Sequence, residues 1–274
     1  MEFFLGIFLP YTAFGVFLAG TILRVRGWLR VPVPFHLTLF PAPRDTVGRI
    51  RSIAMELLFC RSLYREDRLL WISVCLFHIS LALILVGHVL GIFFMRGQFT
   101  FIGLSSASSG QLSLCLGVIT GVVITISLGA LTCRRLVNSD VKRLSAPSNY
   151  FELLLLLAVA LSGISMYLPG LHVDLQAVRG FMGGILGMHP APLPNNVPFV
   201  IHFSLVNILM FYFPLSSLLH FAGFFVIRPI LVESPPVYPT PSGTVQRSAF
   251  ATRRLFPDIP LPRQTSIAGE GEGR

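Results

Sequence analysis

Five stretches of the chain, approximately 3–23, 70–95, 111–133, 150–168 and 197–227, are apolar over lengths that suit membrane crossing. A bilayer hydrocarbon core of about 30 Å takes roughly 20 residues of helix to cross. A helix bonds its own backbone, whereas an open strand in lipid leaves peptide groups unpaired, so each stretch is predicted to be a helix. Between the first two spans, Val47, Ile50, Ile53, Ala54, Leu57 and Leu58 recur at helical spacing with arginines between them. That pattern predicts an amphipathic helix at the membrane interface over 46–61. The Pro-rich piece before it, 31–43, reads as extended chain. The fourth connection, 169–196, predicts a short helix up to Gly187 followed by a Pro- and Asn-rich turn region. Pro214 is expected to kink the fifth span. The expected architecture is an all-α membrane protein. Residues 1–232 form a five-helix domain that includes a long connecting loop, 24–69, and 233–274 form an extended tail.

Composition agrees with this pattern. Charged residues make up 12% of the chain and the mean hydropathy is +0.74, where soluble domains average about 25% charged residues. The net charge of +9 could suggest nucleic acid, but its placement points elsewhere. Of the 21 Lys and Arg, all but Arg96 and Arg179 fall on one side of the five-span topology. The positive-inside rule then puts the N-terminus outside and the C-terminus in the cytoplasm. These cations set topology first and offer a docking surface second. No basic residue precedes the first span, and Glu2 is the only early charge, so it is read as a permanent span rather than a cleaved signal. Cys60, Cys75, Cys115 and Cys133 form no C-x-x-C pair, which argues against covalent haem and a cysteine-held cluster and for packing roles.

Four histidines carry the candidate chemistry. His78 and His88 lie in the second span, His202 and His220 in the fifth. Ionisable groups at membrane depth are costly and mark functional sites. The two spans run antiparallel. From the helical rise, His78 and His220 lie about 12 and 10 Å from the cytoplasmic ends, and His88 and His202 match near the outer ends to roughly 3 Å. An inner pair, His78 with His220, and an outer pair, His88 with His202, could each clamp one haem iron from both faces. That closed ligation favours electron transfer over substrate binding at the metal. Eighteen residues is five turns, so His202 and His220 share a face of an ideal helix, while His78 and His88 stand about 80° apart. Gly87, Gly91 and Gly223 leave room for a macrocycle, although glycine also serves plain helix packing. The alternatives to haem are a copper or other metal site and a proton relay in a transporter. A transporter more often shows mid-membrane carboxylates and repeat symmetry; here no Asp or Glu lies deep in an expected span and the sequence carries no internal repeat.

The segments FHISLALILVGHVLG (77–91) and HFSLVNILMFYFPLSSLLH (202–220) resemble the nitrate reductase gamma-subunit family of dihaem b cytochromes. The likeness runs from about Trp71 to Phe225 and includes Arg134, Arg135, Asp140 and Phe213-Pro214. Pro32-Val33-Pro34-Phe35 and Arg61-Ser62-Leu63-Tyr64-Arg65 are more like the DsrM type, the membrane cytochrome of complexes linked to dissimilatory sulfite reductase. The resemblance implies two haems b in the cytoplasmic membrane of a prokaryote, exchanging electrons with menaquinol or ubiquinol outside. It implies a cytoplasmic iron–sulfur subunit, heterodisulfide reductase-like or nitrate reductase beta-like, with further membrane and periplasmic cytochrome subunits as additional partners. Sulfur metabolism is the expected setting, and the gamma subunit of a respiratory nitrate reductase is the alternative. Within this frame Arg96 and Arg179 outside, and Arg68 and Arg228 inside, are candidates for haem propionates, since arginine pairs well with carboxylates. Gly87, His88 and Gln111 are candidates for the quinone site, with His172 and His189 nearby. No Lys occurs around Ser109-Gly110-Gln111, so the family's basic quinol contact does not carry over.

Overall fold

The structure, a computed structural model, describes residues 2–30, 46–94 and 97–233. The Pro-rich segment, Arg96 and the tail beyond Glu233 lie outside the described residues, as does the side chain of Arg228. A π-helical turn, Phe4–Phe8, leads into α1 (Leu9–Arg30). The order continues with α2 (Thr46–Phe59), α3 (Arg61–Glu66), α4 (Arg68–Phe94), α5 (Ser106–Val137) and α6 (Ser139–Arg143). It ends with α7 (Pro147–Ser165), α8 (Leu175–Leu186), α9 (Val197–Tyr212) and α10 (His220–Glu233). Among the described residues, five helices are long and apolar enough to cross a membrane: Phe4–Arg30, Arg68–Gly91, Ser106–Val137, Pro147–Ser165 and Val197–Leu215. The helices at 46–59 and 175–186 stand where the hydrophobic pattern places them.

Local chemistry sets the helix ends. Ser105 accepts the Ser108 amide at the start of α5, Asp174 accepts Gln176 at α8, and Asn196 accepts Phe199 at α9. Each such cap satisfies an otherwise orphaned amide and contributes typically about 1 kcal/mol. Pro147 and Pro198 sit in the first turns of α7 and α9, where a missing N–H costs nothing.

The long helices pack in a chain of neighbours: α4 on α5, α5 on α7, α7 on α9, and α9 on α1. Small residues permit the close approach of α5 and α7. Gly117 lies beneath Tyr167, and a Cβ on Gly121 would stand 2.9 Å from Ile164 Cγ1. Phe77, Ile124 and Leu128 form one core with Leu153, Leu156 and Leu157. Phe181, Phe199 and Phe203 form another, which seats α8 across one end of the bundle. The Tyr11 hydroxyl ties α1 to α8 by donating to the Ile185 carbonyl at 2.9 Å. Large side chains such as Leu85 and Ile126 remain exposed on the outside, as a lipid-facing surface requires.

The fifth apolar run differs from expectation. Instead of one kinked helix over 197–227, α9 stops at Tyr212 and gives way to two 3₁₀ turns, Phe213–Leu215 and Ser217–Leu219, before α10 begins at His220. Pro214 has no N–H to give and its ring crowds the preceding turn. Gly20 of α1 receives that ring; a Cβ there would stand 2.7 Å from Pro214 Cβ. The ideal-helix argument that His202 and His220 share one face therefore does not hold, because they belong to different helices.

Asp67 joins the starts and ends of neighbouring helices. It accepts the Leu70 amide at 2.9 Å at the head of α4, and Arg134 of α5 lies 3.1 Å away. The Leu70 amide first, and then Arg134, outweigh desolvation and hold its carboxyl below the usual value of 3.8. A depressed carboxylate stabilises the fold above its unfolded pKa and loses that effect as pH falls through the folded one. Asp67→Asn is expected to lower the Tm of the detergent-solubilised protein at neutral pH. The gap from the parent should close below about pH 3.8, which paired melting curves across pH would check.

Candidate functional site

His78 and His88 project from α4, His202 from the second turn of α9, and His220 is the first residue of α10. The structure brings them together as two pairs. The ring centres of His78 and His220 are 6.0 Å apart with planes at 88°, and those of His88 and His202 are 6.2 Å apart with planes at 21°. By helical rise the two positions on α4 are about 15 Å apart. Between the paired rings α4 does not pack as a close neighbour of α9 or α10, so the histidines face one another across a gap.

Hydrogen bonds decide which nitrogen each ring offers. His78 Nδ1 lies 2.8 Å from the Val74 carbonyl and His88 Nδ1 2.7 Å from that of Ile84. His220 Nδ1 lies 3.0 Å from the Ser217 carbonyl. His202 Nδ1 lies 3.1 Å from the Val159 carbonyl of α7 and 3.0 Å from Ser162 Oγ. A carbonyl oxygen can only accept, so Nδ1 carries the proton in each ring. Nε2 is then left with its lone pair. This is the arrangement by which proteins orient a histidine that binds a metal through its other nitrogen.

The residues fit a haem at each pair. Two imidazoles sharing a metal at about 2 Å per nitrogen, each ring centre about 1 Å behind its nitrogen, have centres about 6 Å apart. Both pairs stand at that separation. Among the described residues no third His, Cys, Asp or Glu joins them to make a group of three. Two opposed imidazoles suit a group that brings its own equatorial donors. Beside His88, a Cβ on Gly87 or Gly91 would meet nothing within 4 Å, so no protein atom crowds α4 there.

The other candidates are scattered. Gly87 is exposed beside His88, Gln111 is exposed near the start of α5, and Arg179 is exposed on α8. His172 and His189 are exposed in the segments flanking α8. Arg68 stands at the head of α4 with its guanidinium carbon 5.5 Å from the Tyr64 ring centre. Burial pushes the Cys60 thiol up, in keeping with a packing role.

Four residues escaped the sequence reading. Ser162 and Gly163 form the bed of His202, and a Cβ on Gly163 would stand 3.3 Å from the ring's Cε1. Gln98 is buried, donates to Ser113 Oγ at 2.6 Å, and has an unpartnered Oε1. Glu152 is a carboxylate inside a span, one turn into α7 and 6% exposed. The signal for Glu152 was its place in an otherwise apolar run; nothing in the sequence singles out the other three.

The sequence profile of the nitrate reductase gamma subunit matches residues 59–234, a stretch that holds all four histidines. The chain belongs to the nitrate reductase gamma subunit family. With its five apolar helices it is a multi-pass membrane protein. It is similar to the Hdr-like menaquinol oxidoreductase cytochrome b-like subunit of Archaeoglobus fulgidus, 29% identical over 80% of this chain and 76% of that protein. The subunit of the same description from Archaeoglobus profundus is 28% identical over 96% of this chain and 85% of its own length. The nitrate reductase gamma chain of Bacillus subtilis is 28% identical over 57% of this chain and 73% of its own length.

The bed beneath His202 generates a prediction. Gly163→Val should displace that ring and empty the His88–His202 position while the His78–His220 position stays filled. If each pair holds one haem, the reduced-minus-oxidised spectrum should show two b-type components for the parent and one for the purified variant.

Proposed function

We propose that the chain is a dihaem cytochrome b subunit of a quinol-oxidising or quinone-reducing complex. The observation that carries this reading is the pair of 6.0 and 6.2 Å imidazole separations, with every Nδ1 engaged by a carbonyl. His78 with His220 and His88 with His202 would hold the two groups, each supplying a reversible one-electron couple. The protein's part would be to fix the imidazoles as two donors for each group, which suits electron transfer rather than oxygen binding.

Quinol would meet the chain at the end of α4 that carries His88 and Gly87, where it gives up two electrons and two protons. The opposite, arginine-rich end, with α2 and α3, would face the cytoplasm and dock an iron–sulfur subunit. The relatives named as menaquinol oxidoreductase subunits, matched over most of this chain, favour menaquinol and a heterodisulfide reductase-like partner. Resemblance to the DsrM type favours sulfur metabolism. The second reading, a nitrate reductase gamma subunit, draws on the Bacillus relative, which covers less of the chain. Electrostatic attraction to an acidic partner would assist docking and weaken with salt.

The four single His→Ala variants test both pairing and direction. His78→Ala and His220→Ala should lose the same haem, and His88→Ala and His202→Ala the other. In the intact complex, quinol should fail to reduce the partner's cluster once His220 is replaced. Loss of unlike haems within a pair, or cluster reduction unchanged in the His220 variant, would contradict the proposal.

A further inference from the structure

The break between α9 and α10 exposes peptide groups that helical bonding would otherwise have used. Two charged side chains take them up. Arg24 of α1 donates through Nη1 to the carbonyls of Pro214 and Ser216, at 2.6 and 2.8 Å. Glu152 of α7 accepts the Ser217 amide at 2.8 Å and also the Ser217 hydroxyl. The Ser216 carbonyl and the Ser217 amide are the two ends of one peptide unit. That unit is therefore held between a guanidinium and a carboxylate. The next carbonyl along, Ser217 O, is the acceptor of His220 Nδ1–H at 3.0 Å.

We infer that Arg24 and Glu152 are positioning residues that hold His220 in place and set, with opposite signs, the reduction potential of the haem it would ligate. The inference rests on the dihaem reading and adds to it the groups that tune one of the two sites. Packing keeps the clamp in place: Ser216 is 1% exposed and Leu219 fully buried. The signs suit the local dipoles, with a cation at the C-terminal end of α9 and an anion at the turn that opens α10. Away from water both charges act strongly on a nearby iron. The carboxylate favours the oxidised, more positive state and the guanidinium favours the reduced one. Among the described residues, the Nδ1 bonds of His88 and His202 end on Ile84, Val159 and Ser162 and on no such clamp.

Redox titration of the full chain, purified with both b-type components, tests this, with the His88–His202 component as internal reference. The near-isosteric E152Q keeps an oxygen for the Ser217 amide but removes the charge. It should raise the reduction equilibrium constant of the His78–His220 component about tenfold, 59 mV for one electron. R24Q should move the same component the other way. A purely structural clamp would instead loosen His220 in both variants and shift both in one direction. Shifts of one sign, or changes below about twofold in both relative to the reference component, would overturn the inference and leave the dihaem reading standing. Where one variant does not accumulate with both components, the sign of the other's shift decides. A parent protein without two b-type components would overturn both readings.

Discussion

An imidazole at membrane depth has no water for its N–H, and an unbonded polar group there costs several kcal/mol. Three of the four rings answer this locally. His78 and His88 bond the carbonyl one turn back on α4, and His220 bonds that of Ser217. His202 reaches across to Val159 and Ser162 on α7. The bond that satisfies Nδ1 also turns Nε2 outward with its lone pair free. Because α4 is held by α5, α5 by α7 and α7 by α9, the rings of opposite helices come to stand in pairs, with centres 6.0 and 6.2 Å apart. A requirement of solvation thus prepares the two pairs that, in the proposed function, would each hold a haem.

The same requirement acts on the backbone at the Pro214 break. A helix interrupted in lipid is tolerated where side chains re-satisfy the freed groups. Arg24 and Glu152 do so here, and Gly20 makes room for the proline ring. The break is useful because it re-aims the chain. It lets α10 begin at His220, so that this ring faces His78 without the constraint of continuous helical phase from His202. Cost and consequence have one origin, the proline at the centre of the fifth apolar run.

Much of this was legible in the sequence, for physical reasons. Membrane spans follow from apolar length, and helical rise converts residue number into depth. His78 could therefore be matched with His220 and His88 with His202 before any coordinates. Angle was less legible than depth, since phase along a helix survives only if the helix does. Pro214 announced a disturbance but not its form. The groups that heal the break lie far away in sequence: Arg24 is 190 residues from Pro214 and Glu152 is 65 from Ser217. No local pattern pairs residues at such separations. Ser162 and Gly163 were hidden for a similar reason, being ordinary small residues of a membrane helix until α9 is laid upon them.

The account stands on each histidine pair holding one haem. Haem b per polypeptide, measured as the pyridine haemochrome on the purified full-length protein, bears on this most directly. Each pair of rings stands at the separation of two imidazoles on one metal and the two positions on α4 are about 15 Å apart, so the predicted ratio is two haems b per chain. A ratio of one or none in protein that remains folded would contradict it.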